Sequence, residues 1–201
     1  MPHTPEKKPV SPFRRVHKTP YIIDIEASGF GASSYPVEVG LAMQDGSRFC
    51  ALIKPTEYWT HWDKSAESMH HISREMIIKD GKAVEEVAAE LNSRLKGKIV
   101  YSDGWVVDER WLIQLFEAAQ MKCLFQFYDI ETILSETQMN AWHKVKAIVA
   151  VDLNLQRHRA SNDASIIQRT YQKTHDLGYL NQLAAESDAN THKTKASLDF
   201  L

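Results

Sequence analysis

The order of predicted elements in this 201-residue chain points to an α/β fold. Three observations carry that expectation: short apolar strands near the start, a clean amphipathic helix after them, and then helix and strand in alternation. Tyr21 to Glu26 reads as the first strand, broken by Gly29 and Gly31. Val37 to Met43 is the second, and Asp45-Gly46 is a hairpin signal leading to a third over Arg48 to Ile53. Lys54 to Lys64 reads as a loop rich in aromatic residues. From Ala83 to Leu95 the residues Val84, Val87, Ala88, Leu91 and Leu95 share one helix face, and Gly97 ends the helix. Ile99 to Tyr101 is a short fourth strand. A helix with a Leu112, Leu115, Phe116 and Ala119 stripe follows Asp108. Cys123 to Tyr128 reads as the fifth strand, and residues 130 to 156 as helical without clear boundaries. A last helix from near Ser161 or Asn162 buries Ala164, Ile167 and Tyr171.

Composition narrows the class. With 43% hydrophobic and 25% charged residues, the chain suits one soluble domain with a substantial core. It holds no apolar run near the roughly 18 residues of a membrane span, and its start lacks the apolar stretch of a secretory signal. Cys50 and Cys123 are far apart and outside metal-ligand spacing. A reducing, cytoplasmic setting is therefore expected, with neither a disulfide framework nor a zinc site. Pro2, Pro5, Pro9 and Pro12, with Lys7, Lys8, Arg14, Arg15 and Lys18 against Glu6 alone, mark residues 1–19 as a flexible basic arm. Residues 20–183 form the expected domain. Residues 184–201 form a tail whose ASLDFL ending would pack on its own domain or dock on a partner. The net charge of −2 hides an acidic domain behind that arm, so charge alone does not point to a nucleic-acid partner.

The chemistry lies in five residues. Asp24 and Glu26, in YIIDIEASGFG, project from the same face of a strand whose Ile23 and Ile25 point the other way. Side by side on a buried strand, such acids are costly unless cations hold them. Asp108, in YSDGWVVDERWL, and Asp163, in HRASNDA, stand at or near the starts of helices. His158 precedes Asp163 by five positions, about 140° around an ideal helix, so the histidine belongs to the preceding loop or first turn. Each residue alone has a plainer reading: a solvated strand end, a helix cap or a hydrogen-bonded structural histidine. Together they describe a site for hard divalent cations beside a base, the apparatus of metal-assisted phosphodiester hydrolysis.

On these motifs the chain resembles the DEDDh 3′–5′ exonucleases, the superfamily of oligoribonuclease, RNase T and the proofreading subunit of the bacterial replicative polymerase. DIEASGFG, YSDGWVVDERWL and HRASNDA resemble its three motifs, over roughly residues 20 to 175. SMHHISREMI resembles an I-H-G-I-T-x-E stretch between the first two, with His71 in place of the glycine. The second motif departs from the common H-N start, since Ser102-Asp103 stands there. Asp108 is preferred to Asp103 as its carboxylate because the following ERWL fits the motif and opens the apolar helix. The resemblance implies an RNase H-like fold: a five-stranded mixed sheet flanked by helices. It implies two Mg²⁺ or Mn²⁺ ions held by Asp24, Glu26, Asp108 and Asp163, with His158 as general base. The implied substrate is the 3′ end of single-stranded RNA or DNA, contacted by Ala27, Ser28, Gly29, Phe30, Met69, His70 and Arg159. Tyr58, Trp59 and Trp62 either extend the pocket wall or cover the sheet edge. A homodimer is also implied as possible. Rival readings are an RNase H-like endonuclease, or a binding module or partner subunit with an inactive site.

Overall fold

The computed structural model describes residues 18–176 and 178–183. Its strands are β1 (Tyr21–Ala27), β2 (Pro36–Ala42), β3 (Arg48–Leu52), β4 (Ile99–Ser102) and β5 (Gln126–Asp129). They form one sheet in the order β3-β2-β1-β4-β5. The first three strands are antiparallel neighbours, whereas β1, β4 and β5 run parallel. The helices are α1 (Lys64–His70), α2 (Arg74–Asp80), α3 (Val84–Leu95), α4 (Trp105–Ala118), α5 (Glu136–Leu153) and α6 (Ala160–Thr174). The chain is thus a five-stranded mixed sheet flanked by helices.

Strand alternation divides the core into two layers. Ile23 and Ile25 of β1 pack with Val37, Val39 and Leu41 of β2 against Val87 and Leu91 of α3 and Leu112 and Leu115 of α4. Ile22 turns to the opposite face and meets Trp142 of α5 and Ala164, Ile167 and Tyr171 of α6. Covered on both faces, β2 is buried along its whole length.

On the α6 face, a glycine sets how closely helix and sheet approach. Gly40 is the partner of Asp24 across the β1–β2 ladder. A Cβ at Gly40 would stand 2.0 Å from the Ser161 nitrogen and 2.2 Å from the Ala160 carbonyl carbon. These are backbone atoms of α6 and cannot rotate aside. Gly40→Ala is therefore expected to destabilise the protein by about 2–3 kcal/mol, lowering Tm by roughly 4–12 °C. A thermal melt within 1–2 °C of wild type (about the smallest shift of interest) would show that α6 yields freely.

Three stretches differ from the sequence reading. Residues 64–80 hold α1 and α2, each only seven residues long and too short to display a helical period. Their starts are capped locally, as Asp63 accepts from the Ser65 N–H and Ser73 from the Met76 N–H. His71 ends α1 with φ 57°, a left-handed conformation that accounts for glycine in the similar I-H-G-I stretch. Residues 130–156 resolve into a 3₁₀ turn, Ile130–Ile133, and α5, which opens with a Ser135–Gln138 capping box. β5 starts at Gln126 rather than Cys123, because the Leu124 N–H is taken by the Asn92 side chain instead of a sheet neighbour.

Residues 1–17 of the expected arm and the whole expected tail, 184–201, lie outside the described residues. Among the described residues, no helix is long and apolar enough to cross a membrane.

Candidate active site

Parallel pairing of β1 with β4 brings their C-terminal ends to the same rim of the sheet. That rim is where open α/β sheets form crevices. Asp24 and Glu26 stand half-buried there, on the sheet face that covers Ile22 further back. α4 starts directly beyond β4 and carries Asp108 in its first turn, only 3% exposed. α6, seated on Gly40, carries Asp163 in its first turn at 6% exposure. His158 lies two residues before α6, on the loop, with φ 58°. All five line one cleft of about 240 Å³. Glu26, His158 and Asp163 each offer a potential ligand atom, and these atoms lie within 4.8 Å of one another.

The electrostatics are those of crowded acids. Burial, then the neighbouring Asp108, Glu26 and Asp163 carboxylates, push Asp24 well above the usual carboxylate range. Burial, followed by Asp163 and Glu38, raises Glu26 to about 8. Asp108 is pushed up to about 7, mainly by burial, although the Ser102 hydroxyl donates to its Oδ2 and opposes the rise. Neither Asp24 nor Glu26 takes part in an ion pair among the described residues. Clustered carboxylates, all oxygen donors and with Asp24 and Glu26 outside any such ion pair, fit hard divalent cations such as Mg²⁺ or Mn²⁺. Asp163 differs: Arg157 Nε donates to its Oδ1 at 2.6 Å, and the His158 backbone N–H donates to Oδ2 at 2.7 Å. The second bond ties the histidine loop to the helix that carries Asp163. A cation at Asp163 would compete with the half-exposed Arg157.

The raised carboxylates make the stability of the metal-free protein depend on pH. Unfolded, they lose their protons near pH 4; folded, Asp108 and Glu26 hold theirs to about pH 7 and 8. Their stabilising contribution is complete below the unfolded values and is lost as pH rises through the folded ones. In EDTA, Tm is expected to fall by several degrees between pH 5.5 and 8, and Mg²⁺ or Mn²⁺ at pH 8 to restore it. A flat or rising Tm over that window in EDTA would contradict the carboxylate clustering.

The cleft also collects Ala27, Gly29, Phe30, Met69 and His70. Phe30 is 65% exposed at the lip, an aromatic face open to solvent. His70 is buried, and its Nδ1 accepts from the Ile72 N–H at 3.0 Å, so it forms a wall. Gly29, at φ 151°, passes so close to His61 and Asp63 that a Cβ would stand 2.7 and 2.8 Å from them. Asp103 is not among the lining residues; Lys146 holds it at 2.5 Å.

Two expected substrate contacts are placed elsewhere. Ser28 is buried, its Oγ accepting from the Tyr35 N–H at 3.1 Å and lying 3.2 Å from His61 Nδ1, so it fastens the end of β1. Arg159 is not among the cleft-lining residues and is engaged by Glu38, which it binds through Nε and Nη2. Of the aromatic residues with two readings, Trp59 is buried and stacks on Tyr35 at 5.2 Å, covering the sheet. Trp62 donates to Glu67 at 2.5 Å, and neither it nor the exposed Tyr58 lines the cleft.

Glu38 and Lys146 were not legible as site residues. Glu38 lies opposite Glu26 in the ladder and is fully buried. It accepts from the Ala160 N–H at 2.8 Å as well as from Arg159, and so pins the start of α6 two positions along β2 from Gly40. An acid alternating with valines on a strand gives no sign of a helix terminus far along the chain. Lys146 reaches the cleft from α5 and looks in sequence like its neighbour Lys144.

No family model matches the chain, and no curated protein is significantly similar to it. Solved structures are similar in fold. The zinc-bound form of E. coli exonuclease I with single-stranded DNA superposes with a TM-score of 0.61 at 12% identity, over 82% of this chain and 42% of that one. The same enzyme with a dT13 oligonucleotide gives 0.61 at 12% identity, over 90% and 45%. Exonuclease I of Methylocaldum szegediense gives 0.59 at 12% identity, over 82% and 42%. The chain spans less than half the length of these proteins. At such identity the likeness concerns the fold alone, an RNase H-like five-stranded mixed sheet flanked by helices.

Proposed function

We propose that this chain is a metal-dependent 3′–5′ exonuclease that removes nucleoside monophosphates from single-stranded nucleic acid. The observation that carries the reading is the convergence of Asp24, Glu26, Asp108, Asp163 and His158, from three separate segments, in one cleft. The fold likeness to exonuclease I, solved with oligonucleotides, supports the substrate class. Asp24, Glu26, Asp108 and Asp163 would hold two Mg²⁺ or Mn²⁺ ions. Bound there, a pair of divalent ions polarises the phosphodiester and eases deprotonation of water. His158 takes the proton of the attacking water, the role of a positioned imidazole in general base catalysis. The new P–O bond forms as the bond to the 3′ oxygen breaks, and that oxygen leaves with a proton as the shortened strand's hydroxyl. Phe30 offers a face on which the terminal base stacks without regard to its identity. Its exposure at the cleft lip fits an end-on substrate.

The test is digestion of matched single-stranded RNA and DNA oligonucleotides, labelled at the 5′ end, with Mg²⁺ or Mn²⁺. Stepwise shortening with release of mononucleotides is expected. Internal fragments would make the chain an endonuclease. Binding without cleavage under every metal condition would make it a binding module.

A further inference from the structure

Lys146 is a cation in the cleft with a role outside the proposed set of metal ligands and base. Along α5, Trp142, Val145 and Val149 face inward, and Lys146 stands one turn beyond Trp142 at the edge of that face. Its Nζ donates to Asp103 Oδ2 at 2.5 Å, and the Trp142 indole N–H approaches the same oxygen at 3.4 Å. Both Lys146 and Asp103 side chains are largely buried, 22% and 16% exposed. Asp103 thus holds the flexible lysine stem in one place, beside the cleft that Lys146 helps to line. An ammonium has three donors, and Asp103 engages one of them in this geometry. Arg157, the other cation lining the cleft, is paired with Asp163. Lys146 is therefore the cleft cation whose partner lies outside the four proposed ligands.

We propose that Lys146 contacts a phosphate of the substrate, with Asp103 and Trp142 as the residues that position it. The proposal rests on the reading of the cleft as a phosphodiester-binding site. It also gives a purpose to Asp103, an acid otherwise placed among carboxylates whose charge it only aggravates. Asp103 stands behind the cleft wall and Lys146 on it, so an incoming phosphate meets a cation already oriented and largely buried.

The experiment compares full-length wild type with Lys146→Met, Lys146→Arg and the double variant Asp103→Asn/Lys146→Met. Single-turnover cleavage of a 5′-labelled single-stranded DNA of about 20 nucleotides, longer than a typical single-strand site, is measured with Mn²⁺, and its binding in EDTA over a range of salt concentrations. K146M is expected to slow cleavage about tenfold or more. Its plot of log affinity against log salt should flatten by about 0.7, one phosphate contact on a single strand. K146R should keep the salt slope. If K146M does not show a cooperative melt, Lys146→Gln replaces it. Wild-type rate and slope in K146M would overturn the proposal. So would recovery of both in the double variant, since Lys146 would then serve only to neutralise Asp103. Should wild type cleave nothing, the exonuclease reading fails, while the salt slopes still decide whether Lys146 touches phosphate.

Discussion

Asp24→Asn is expected to abolish cleavage while raising the Tm of the metal-free protein. The substitution keeps shape and removes the negative charge from the centre of the cluster. Asp24 feels Asp108, Glu26 and Asp163 together, and burial raises its pKa further. Loss of a proposed metal ligand should reduce turnover by about a thousandfold or more. Relief of repulsion should at the same time stabilise the apo protein at pH 8 by on the order of 1 kcal/mol, roughly 2–4 °C in Tm. The opposite directions of the two effects identify a functional carboxylate rather than a structural one. Near wild-type turnover with an unchanged metal requirement would refute the two-ion assignment. A lower apo Tm would mean that Asp24 has a stabilising partner in the fold.

His158→Asn should lower single-turnover cleavage by about 10²–10⁴-fold, the range for loss of a general base. Asparagine suits this position because it tolerates the left-handed backbone that His158 adopts at φ 58°. The backbone N–H that donates to Asp163 is kept, so the loop should stay tied to α6. Calorimetric titration with Mn²⁺ separates two roles that the geometry brings close together, since His158 shares ligand distance with Glu26 and Asp163. Affinity near wild type with crippled cleavage is expected of a proton acceptor. Loss of both would make His158 a ligand, and normal turnover would remove it from the chemistry.

The sequence itself determined what depends on short range. Period two put Asp24 and Glu26 on one side of β1 and Ile23 and Ile25 on the other. A 3.6-residue period announced α3, and the five-residue step from His158 to Asp163 placed the histidine on the loop before α6. Seven-residue helices left no such mark, and α1 and α2 rest on local caps. Only tertiary structure decided the partners. The ERWL after Asp108 already favoured it over Asp103, but that Asp103 is held by Lys146, a residue more than 40 positions away, was not visible in that motif. Arg159 is implied by the resemblance as a substrate contact, yet the buried charge of Glu38, 121 positions away, claims it. Gly40, an ordinary strand glycine in sequence, is the surface on which α6 rests to bring up Asp163. Long-range ion pairs and close backbone approaches depend on atoms far along the chain, and no local spacing encodes them.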